Sequence, residues 1–140
     1  MITEEQFEHL VAEEFERAIP HKFHDKIKNV AFLTEDEPSP EVRTREGLHR
    51  GETLLGYYHG IPYPARGDWY GMGTVLPDTI TLFRLPIVEE AQVVVAQNGI
   101  EFEDAIRQVI RDTIWHEVAH HFGMNEKEVR RREDERGQMI

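Results

Sequence analysis

The feature that most constrains this chain is a helix-compatible segment that begins at Glu103 or Asp104 and runs to about His121. Carboxylates in its first turn complement the positive end of a helix dipole. Near its C-terminal end, the stretch 116–120 reads His-Glu-Val-Ala-His. Because successive residues are about 100° apart, positions 116 and 120 differ by only about 40° around the axis. The segment therefore predicts a long helix that presents two imidazoles on one face.

Two imidazoles one turn apart can bind the same Zn²⁺ at about 2.0–2.1 Å. Glu117 lies between His116 and His120 in angle but is displaced along the axis. Its carboxylate can therefore reach a water on the metal without binding the ion, which suits a general base. The opposing interpretation is a pair of surface histidines on an amphipathic helix with a solvated glutamate. Upstream positions on the same face, Val109 and Asp112–Thr113, mix apolar and polar character and do not decide between the two.

The third ligand of such a site has to come from beyond the helix. A catalytic zinc usually has three protein ligands and one open position. Gly123 permits a left-handed turn that would bring the chain back towards the metal. Glu126 then lies at the end of the pattern H-E-x-x-H-x-x-G-x-x-E and is the predicted third ligand. It is also placed to complement the dipole of a final helix. Competing candidates are His121, Asn125, Glu128 and Glu133.

Composition narrows the chemistry further. The chain has 140 residues, no cysteine and a net charge of −11. Its length predicts a single domain over residues 1–140, and the absence of cysteine leaves histidine and carboxylates as metal ligands. The acidic balance argues against partners such as nucleic acid or anionic membranes. No apolar run approaches the roughly 20 residues that span a bilayer, and the acidic N-terminus does not resemble a signal peptide, so a cytoplasmic protein is predicted.

Shorter patterns predict the remaining elements. A helix begins at Thr3, whose hydroxyl suits an N-cap, and ends before Pro20. Pro86 opens a further helix that ends at Asn98. Strands are predicted at Ile27–Leu33, Thr53–Tyr58 and Asp78–Arg84, with loops at 34–40 and 60–77. This order of elements predicts an α+β fold, a small sheet with helices packed on one side.

The segment His116–Glu126 resembles the motif of small bacterial zincin-like proteins, a family described as possible zinc metallopeptidases. The resemblance extends in the same order to Val30–Pro38, Leu54–Pro62 and Asp78–Arg84, and so covers most of the chain. It implies a minimal zincin-like fold, with a small mixed or antiparallel sheet packed on an active-site helix. It also implies one Zn²⁺ per chain and an acidic third ligand after the glycine, where family members often have Asp.

The predicted function is zinc-dependent hydrolysis of peptide bonds, in which Glu117 takes a proton from a metal-bound water. A peptide or protein substrate would pair with an edge strand, for which Asp78–Arg84 is the best candidate by analogy with zincin folds. The alternative for this segment is an ordinary core strand. Candidates by residue type for stabilising the oxyanion are Tyr57, Tyr58, His59 and Tyr70. The alternative is a non-catalytic module that zinc stabilises and that binds a dedicated protein partner. The oligomeric state is not predicted.

Overall fold

The computed structural model describes residues 2–19, 30–60 and 77–121. In chain order its elements are α1 (Glu4–Ala18), β1 (Val30–Glu35), α2 (Pro40–Arg45), β2 (Gly56–His59), β3 (Asp78–Phe83), α3 (Arg84–Asn98) and α4 (Phe102–His121). Helices and a small mixed sheet make the fold α+β, as predicted. Among the described residues, no helix is both long enough and apolar enough to cross a membrane.

The three strands form one sheet in the order β1-β3-β2. β1 runs parallel to β3, and Val30 pairs with Asp78. β2 runs antiparallel to β3, and Tyr58 pairs with Ile80. Within this sheet β3 is therefore the central strand, hydrogen-bonded on both sides. The prediction that Asp78–Arg84 is a substrate-binding edge strand is wrong, because both of its edges already have partners.

The core forms where the helices meet the sheet. Ile80 and Leu82 are alternate residues of β3, so they point to the same face, and both are fully buried. They belong to one hydrophobic cluster with apolar residues of α1, α3 and α4. Burying each of these two side chains contributes about 1.5–3 kcal/mol relative to solvent exposure. The sheet is thus anchored to the helices mainly through its central strand.

Helix α1 begins as the sequence predicts. The Thr3 hydroxyl accepts a hydrogen bond from the Gln6 N–H, and the Gln6 side chain accepts one from the Thr3 N–H, which completes a capping box. Helix α3, by contrast, begins at Arg84 and not at Pro86, directly after the last residue of β3. The Arg84 guanidinium donates to the Asp36 carboxylate and to the Ile2 carbonyl, which fixes this junction. Gly99, at φ 69°, ends α3 in the left-handed conformation.

Two predicted boundaries on the other strands shift for identifiable reasons. β1 continues to Glu35, because its last residue pairs with Phe83 of the neighbouring strand. The predicted acidic loop at 34–40 leads directly into helix α2, whose N-cap is Ser39 and whose first residue is Pro40. β2 covers residues 56–59, and directly before it the Leu55 carbonyl accepts a hydrogen bond from the Phe83 N–H.

Candidate metal and peptidase site

Helix α4 continues without interruption through the motif to His121. Positions 116 and 120 therefore lie one turn apart on its backbone, about 40° apart around the axis. Ile114 and Val118 on either side of the first motif histidine are buried, which holds this part of the helix in the core. The predicted helix is confirmed and begins at Phe102, one residue before Glu103, the earlier of the two predicted starts.

His116 and Glu117 lie in a groove of about 600 Å³. One wall is α3, the opposite wall is the stretch before and at the start of β2, and the floor is α4. The lining residues are Thr53, Leu54, Leu55, Gly56, Glu90, Val94, Gln108, Val109, Asp112, Thr113, His116 and Glu117. The upstream positions on the histidine face thus line the same groove as the motif itself. A molecule in this groove would reach both His116 and Glu117.

Gly56 sets the distance between β2 and α4. A methyl group at this position would come within 2.7 Å of the Thr113 Cγ2 atom and 3.3 Å of a Leu82 methyl carbon. The first distance is shorter than real contacts allow, so only glycine permits this approach without a shift. The Thr113 hydroxyl donates to the Val109 carbonyl at 2.7 Å, which fixes the orientation of the threonine methyl group. The close approach brings β2 within reach of Glu117.

The Glu117 carboxylate is half-buried at the end of the groove and accepts a hydrogen bond from the Tyr58 N–H. Burial raises the pKa of Glu117 above its usual range, and the negative charge of Glu46 raises it further. His116 and the Tyr58 N–H act in the opposite direction and lower it. The balance leaves a carboxylate that binds a proton more readily than an exposed glutamate does. Such a carboxylate, held in place by a main-chain donor, suits general-base chemistry.

The donor types available in and after α4 fit zinc. Imidazole and carboxylate are common zinc ligands, and the exposed His116 offers one at the groove. Within residues 2–19, 30–60 and 77–121, no three or more His, Asp or Glu side chains come close enough together to hold a metal ion. The predicted ligand Glu126 and its competitors Asn125, Glu128 and Glu133 lie outside these ranges, as does the side chain of His120. The support for the predicted metal site therefore consists of the helical backbone of α4, the exposed His116 and the types of ligand atom that the motif provides.

A second polar cluster lies beside the motif and was not assembled by sequence reasoning. The His121 ring stacks on the Tyr58 ring, with centroids 3.6 Å apart and planes inclined by 13°. The Tyr58 hydroxyl donates to the Asp78 Oδ2 atom at 2.7 Å, and the His121 Nε2 atom lies 3.6 Å from the same oxygen. A signal for this cluster was available, since His121 follows Glu117 by one helical turn and so faces the same strand.

The structure separates the candidates for oxyanion stabilisation. Tyr57 and His59 both contact Arg45, whose guanidinium donates to the Tyr57 hydroxyl. Tyr58, between them on β2, points the other way and contacts α4. Tyr70 lies outside the described residues. Of the candidates that the structure describes, Tyr58 alone is on the side of Glu117.

A small mixed sheet packed on a helix that ends in His-Glu-x-x-His is the architecture of a zincin-like protein. A profile of the zincin-like metallopeptidase family matches residues 27–136, so the chain belongs to this family. A search of curated proteins finds no significant match. Membership of the family suggests zinc-dependent peptidase activity.

Proposed function

We propose that this protein is a zinc-dependent peptidase whose single Zn²⁺ is held by His116, His120 and Glu126, with Glu117 as general base. The observation that carries the proposal is the position of Glu117 at the end of the groove. Its half-buried carboxylate has a raised pKa, lies beside His116 in sequence and is bound by the Tyr58 N–H. A solvated surface glutamate, the opposing interpretation, would have neither the burial nor the main-chain donor.

A zinc ion bound by these ligands supplies Lewis acidity that polarises a peptide carbonyl and lowers the pKa of water to about 7. Glu117 accepts a proton from the attacking water and passes it to the nitrogen of the leaving amine. The Tyr58 N–H holds the carboxylate in one orientation during both transfers.

The substrate in this proposal is a peptide or protein segment lying in the groove. β2 is at an edge of the described sheet, and the residues before it line the groove. β2 therefore takes the substrate-binding role that the sequence assigned to Asp78–Arg84. An extended peptide placed there would run past His116 and Glu117. No nucleic acid or membrane partner is proposed, in keeping with the net charge of −11.

The test is Glu117→Gln in the zinc-loaded full chain, measured by digestion of a broad peptide library with and without a metal chelator. We expect the variant to keep its zinc and to lose about 100- to 10,000-fold in cleavage rate, the usual contribution of a positioned base. Wild-type cleavage should stop with chelator and return with added zinc. Glu103→Gln is the matched control, since it makes the same change at an exposed position in the first turn of the same helix.

Two results would contradict the proposal. Equal cleavage by wild type and Glu117→Gln would remove Glu117 from the mechanism. Stoichiometric zinc without any chelator-sensitive cleavage would instead support the non-catalytic, zinc-stabilised module. Elemental analysis of the untagged protein distinguishes this second result from a failure to bind metal.

A further inference from the structure

The last turn of an α-helix is its least constrained part, because its final carbonyls have no partners within the helix. In α4 this turn contains positions 117 to 121. The rotation of this turn about the helix axis determines where Glu117 and position 120 face. A small rotation of the turn would move the base and the second metal-binding position together. Contacts that fix this turn against the sheet therefore bear directly on the proposed site.

Strand β2 makes two such contacts through a single residue. The Tyr58 N–H bonds the Glu117 carboxylate, and the Tyr58 ring stacks on the His121 ring at 3.6 Å. Glu117 and His121 are one turn apart and about 40° apart around the axis, so both face this strand. The two contacts are spaced along the helix, and together they oppose rotation better than either contact would alone.

The central strand adds a third point of attachment. Asp78, the first residue of β3, is only 6% exposed. Its Oδ2 atom accepts the Tyr58 hydroxyl at 2.7 Å and lies 3.6 Å from the His121 Nε2 atom. Gly60 passes close over the same imidazole, and a methyl group there would come within 3.0 Å of the His121 Cε1 atom. The imidazole, whose side chain is 39% exposed, thus contacts the Tyr58 ring and lies close to the Asp78 carboxylate and the main chain of Gly60.

From these contacts we infer that Tyr58, Asp78 and His121 form a positioning cluster that fixes the last turn of α4. His121 has a positioning role in this arrangement, because its Nε2 atom lies 3.6 Å from the Asp78 carboxylate. The cluster acts through the helix backbone on the adjacent position 120 and on Glu117. This inference rests on the proposed function, and it assigns the three residues a role in positioning the helix that carries the proposed site.

The test compares His121→Phe and Asp78→Asn in the full chain. His121→Phe keeps a ring to stack on Tyr58 but removes the nitrogen near Asp78. Asp78→Asn keeps the size of the side chain and an acceptor for the Tyr58 hydroxyl but removes the charge. The matched control is His49→Phe, which makes the same change at an exposed histidine before β2, where the main-chain N–H donates to Glu52 and the carbonyl accepts from Arg43. Zinc affinity is measured with zinc chloride in competition with a chromophoric chelator, and melting temperature reports folding.

We expect each of the two variants to raise the zinc dissociation constant about tenfold, within the range known for contacts that support metal ligands. On a cleaved peptide we expect kcat to fall while KM stays within about twofold, because the groove itself is unchanged. The double variant should bind zinc no more weakly than the single ones, since both changes break the same contact. His49→Phe should match wild type.

Variants that melt at lower temperature but bind zinc as wild type does would overturn the inference and leave ordinary packing as the role of the cluster. Additive losses in the double variant would also overturn it, because the two residues would then act separately. Should His121→Phe fail to fold, the nearly isosteric Asp78→Asn still gives the decisive zinc affinity. Wild type that binds zinc but cleaves nothing would contradict the proposed catalysis alone, whereas wild type that binds no zinc would contradict both proposals.

Discussion

Helix α4 contacts a buried carboxylate at each of two places, and the groups that stabilise the two carboxylates differ in kind. In its first half, Arg107 and Arg111 reach Glu14 of α1, which has no solvent exposure. At its end, His121 approaches Asp78 of β3, which is 6% exposed. Glu14 is surrounded by guanidinium groups with permanent charge. Asp78 is bonded by a phenol and approached by an imidazole.

The difference indicates different tasks for the two clusters. The Glu14 oxygens lie 2.6 Å from the nearest Arg111 nitrogen and 3.1 Å from that of Arg107, short distances that hold α1 on α4. Such a group is costly to disturb, since a charge left alone in the interior is strongly destabilising. Among the described residues, Asp78 accepts from the Tyr58 hydroxyl and lies near His121, which belongs to the last turn of α4. One cluster therefore holds the helices together, and the other controls the geometry of the proposed site.

The largest expected effect comes from breaking the first cluster. Arg111→Met removes the closest partner of a fully buried carboxylate and should lower the free energy of unfolding by about 3 kcal/mol, measured in urea. Zinc affinity should stay unchanged. The control is Arg17→Met, because Arg17 lies 3.4 Å from the same carboxylate but is 64% exposed, and its loss should cost less than about 1 kcal/mol. Equal losses for both variants would contradict the distinction between buried and exposed partners.

An intermediate loss of stability is expected where the C-terminal half of α4 packs against β2. Gly56→Ala places a methyl group against the Thr113 Cγ2 atom and should cost about 1–3 kcal/mol in unfolding free energy, as overpacking does. Adding Thr113→Ser removes that methyl group, keeps the hydroxyl that bonds Val109, and should restore most of the stability. If the double variant were as unstable as Gly56→Ala, contact with the Thr113 methyl group would not be the cause of the instability.

The smallest effect concerns acid stability at the rim of the first cluster. The Arg107 guanidinium, bonded to Glu13 at 2.6 Å, holds the pKa of that carboxyl below its usual value. Because the folded pKa is lower than the unfolded value of about 4.3, this contribution is present above that pH and is lost as the pH falls through the folded pKa. Urea unfolding between pH 7 and 3 should therefore show a shallower acid decline for Glu13→Gln. Glu16→Gln, an exposed change on the same helix, should follow wild type, and an unchanged slope in Glu13→Gln would contradict the expectation.

Local signals predicted much of the fold. The N-cap at Thr3, the end of α3 at Asn98 and the length of α4 all depend on neighbouring residues, so they are visible in the sequence. The central position of β3 could not be predicted from the sequence, because strand order depends on contacts between distant segments. Helix α2 was missed since the acidic and proline-rich composition of residues 34–40 indicates a loop, although Ser39-Pro40 is a good helix start.

In the candidate site, too, local features could be predicted from the sequence and contacts between distant segments could not. The motif geometry needs only the helical repeat, and the sequence provides it. The pairing of Tyr58 with Asp78 needs the antiparallel register of β2 on β3, which joins residues 20 positions apart. The buried Glu14 was missed although it lies on the apolar stripe of α1 with Phe7, Leu10 and Ala18. Arg107 and Arg111, one turn apart on α4, could have indicated its partners.

The donor that orients Glu117 belongs to the peptide group of residue 58, and this has a consequence for mutagenesis. Every amino acid except proline keeps that N–H, so side-chain substitutions at this position retain the bond to the carboxylate. An alanine scan would report Tyr58 as a residue that matters only for its ring and hydroxyl. A backbone amide-to-ester replacement at residue 58, which deletes the hydrogen and leaves every side chain intact, would isolate what the scan overlooks.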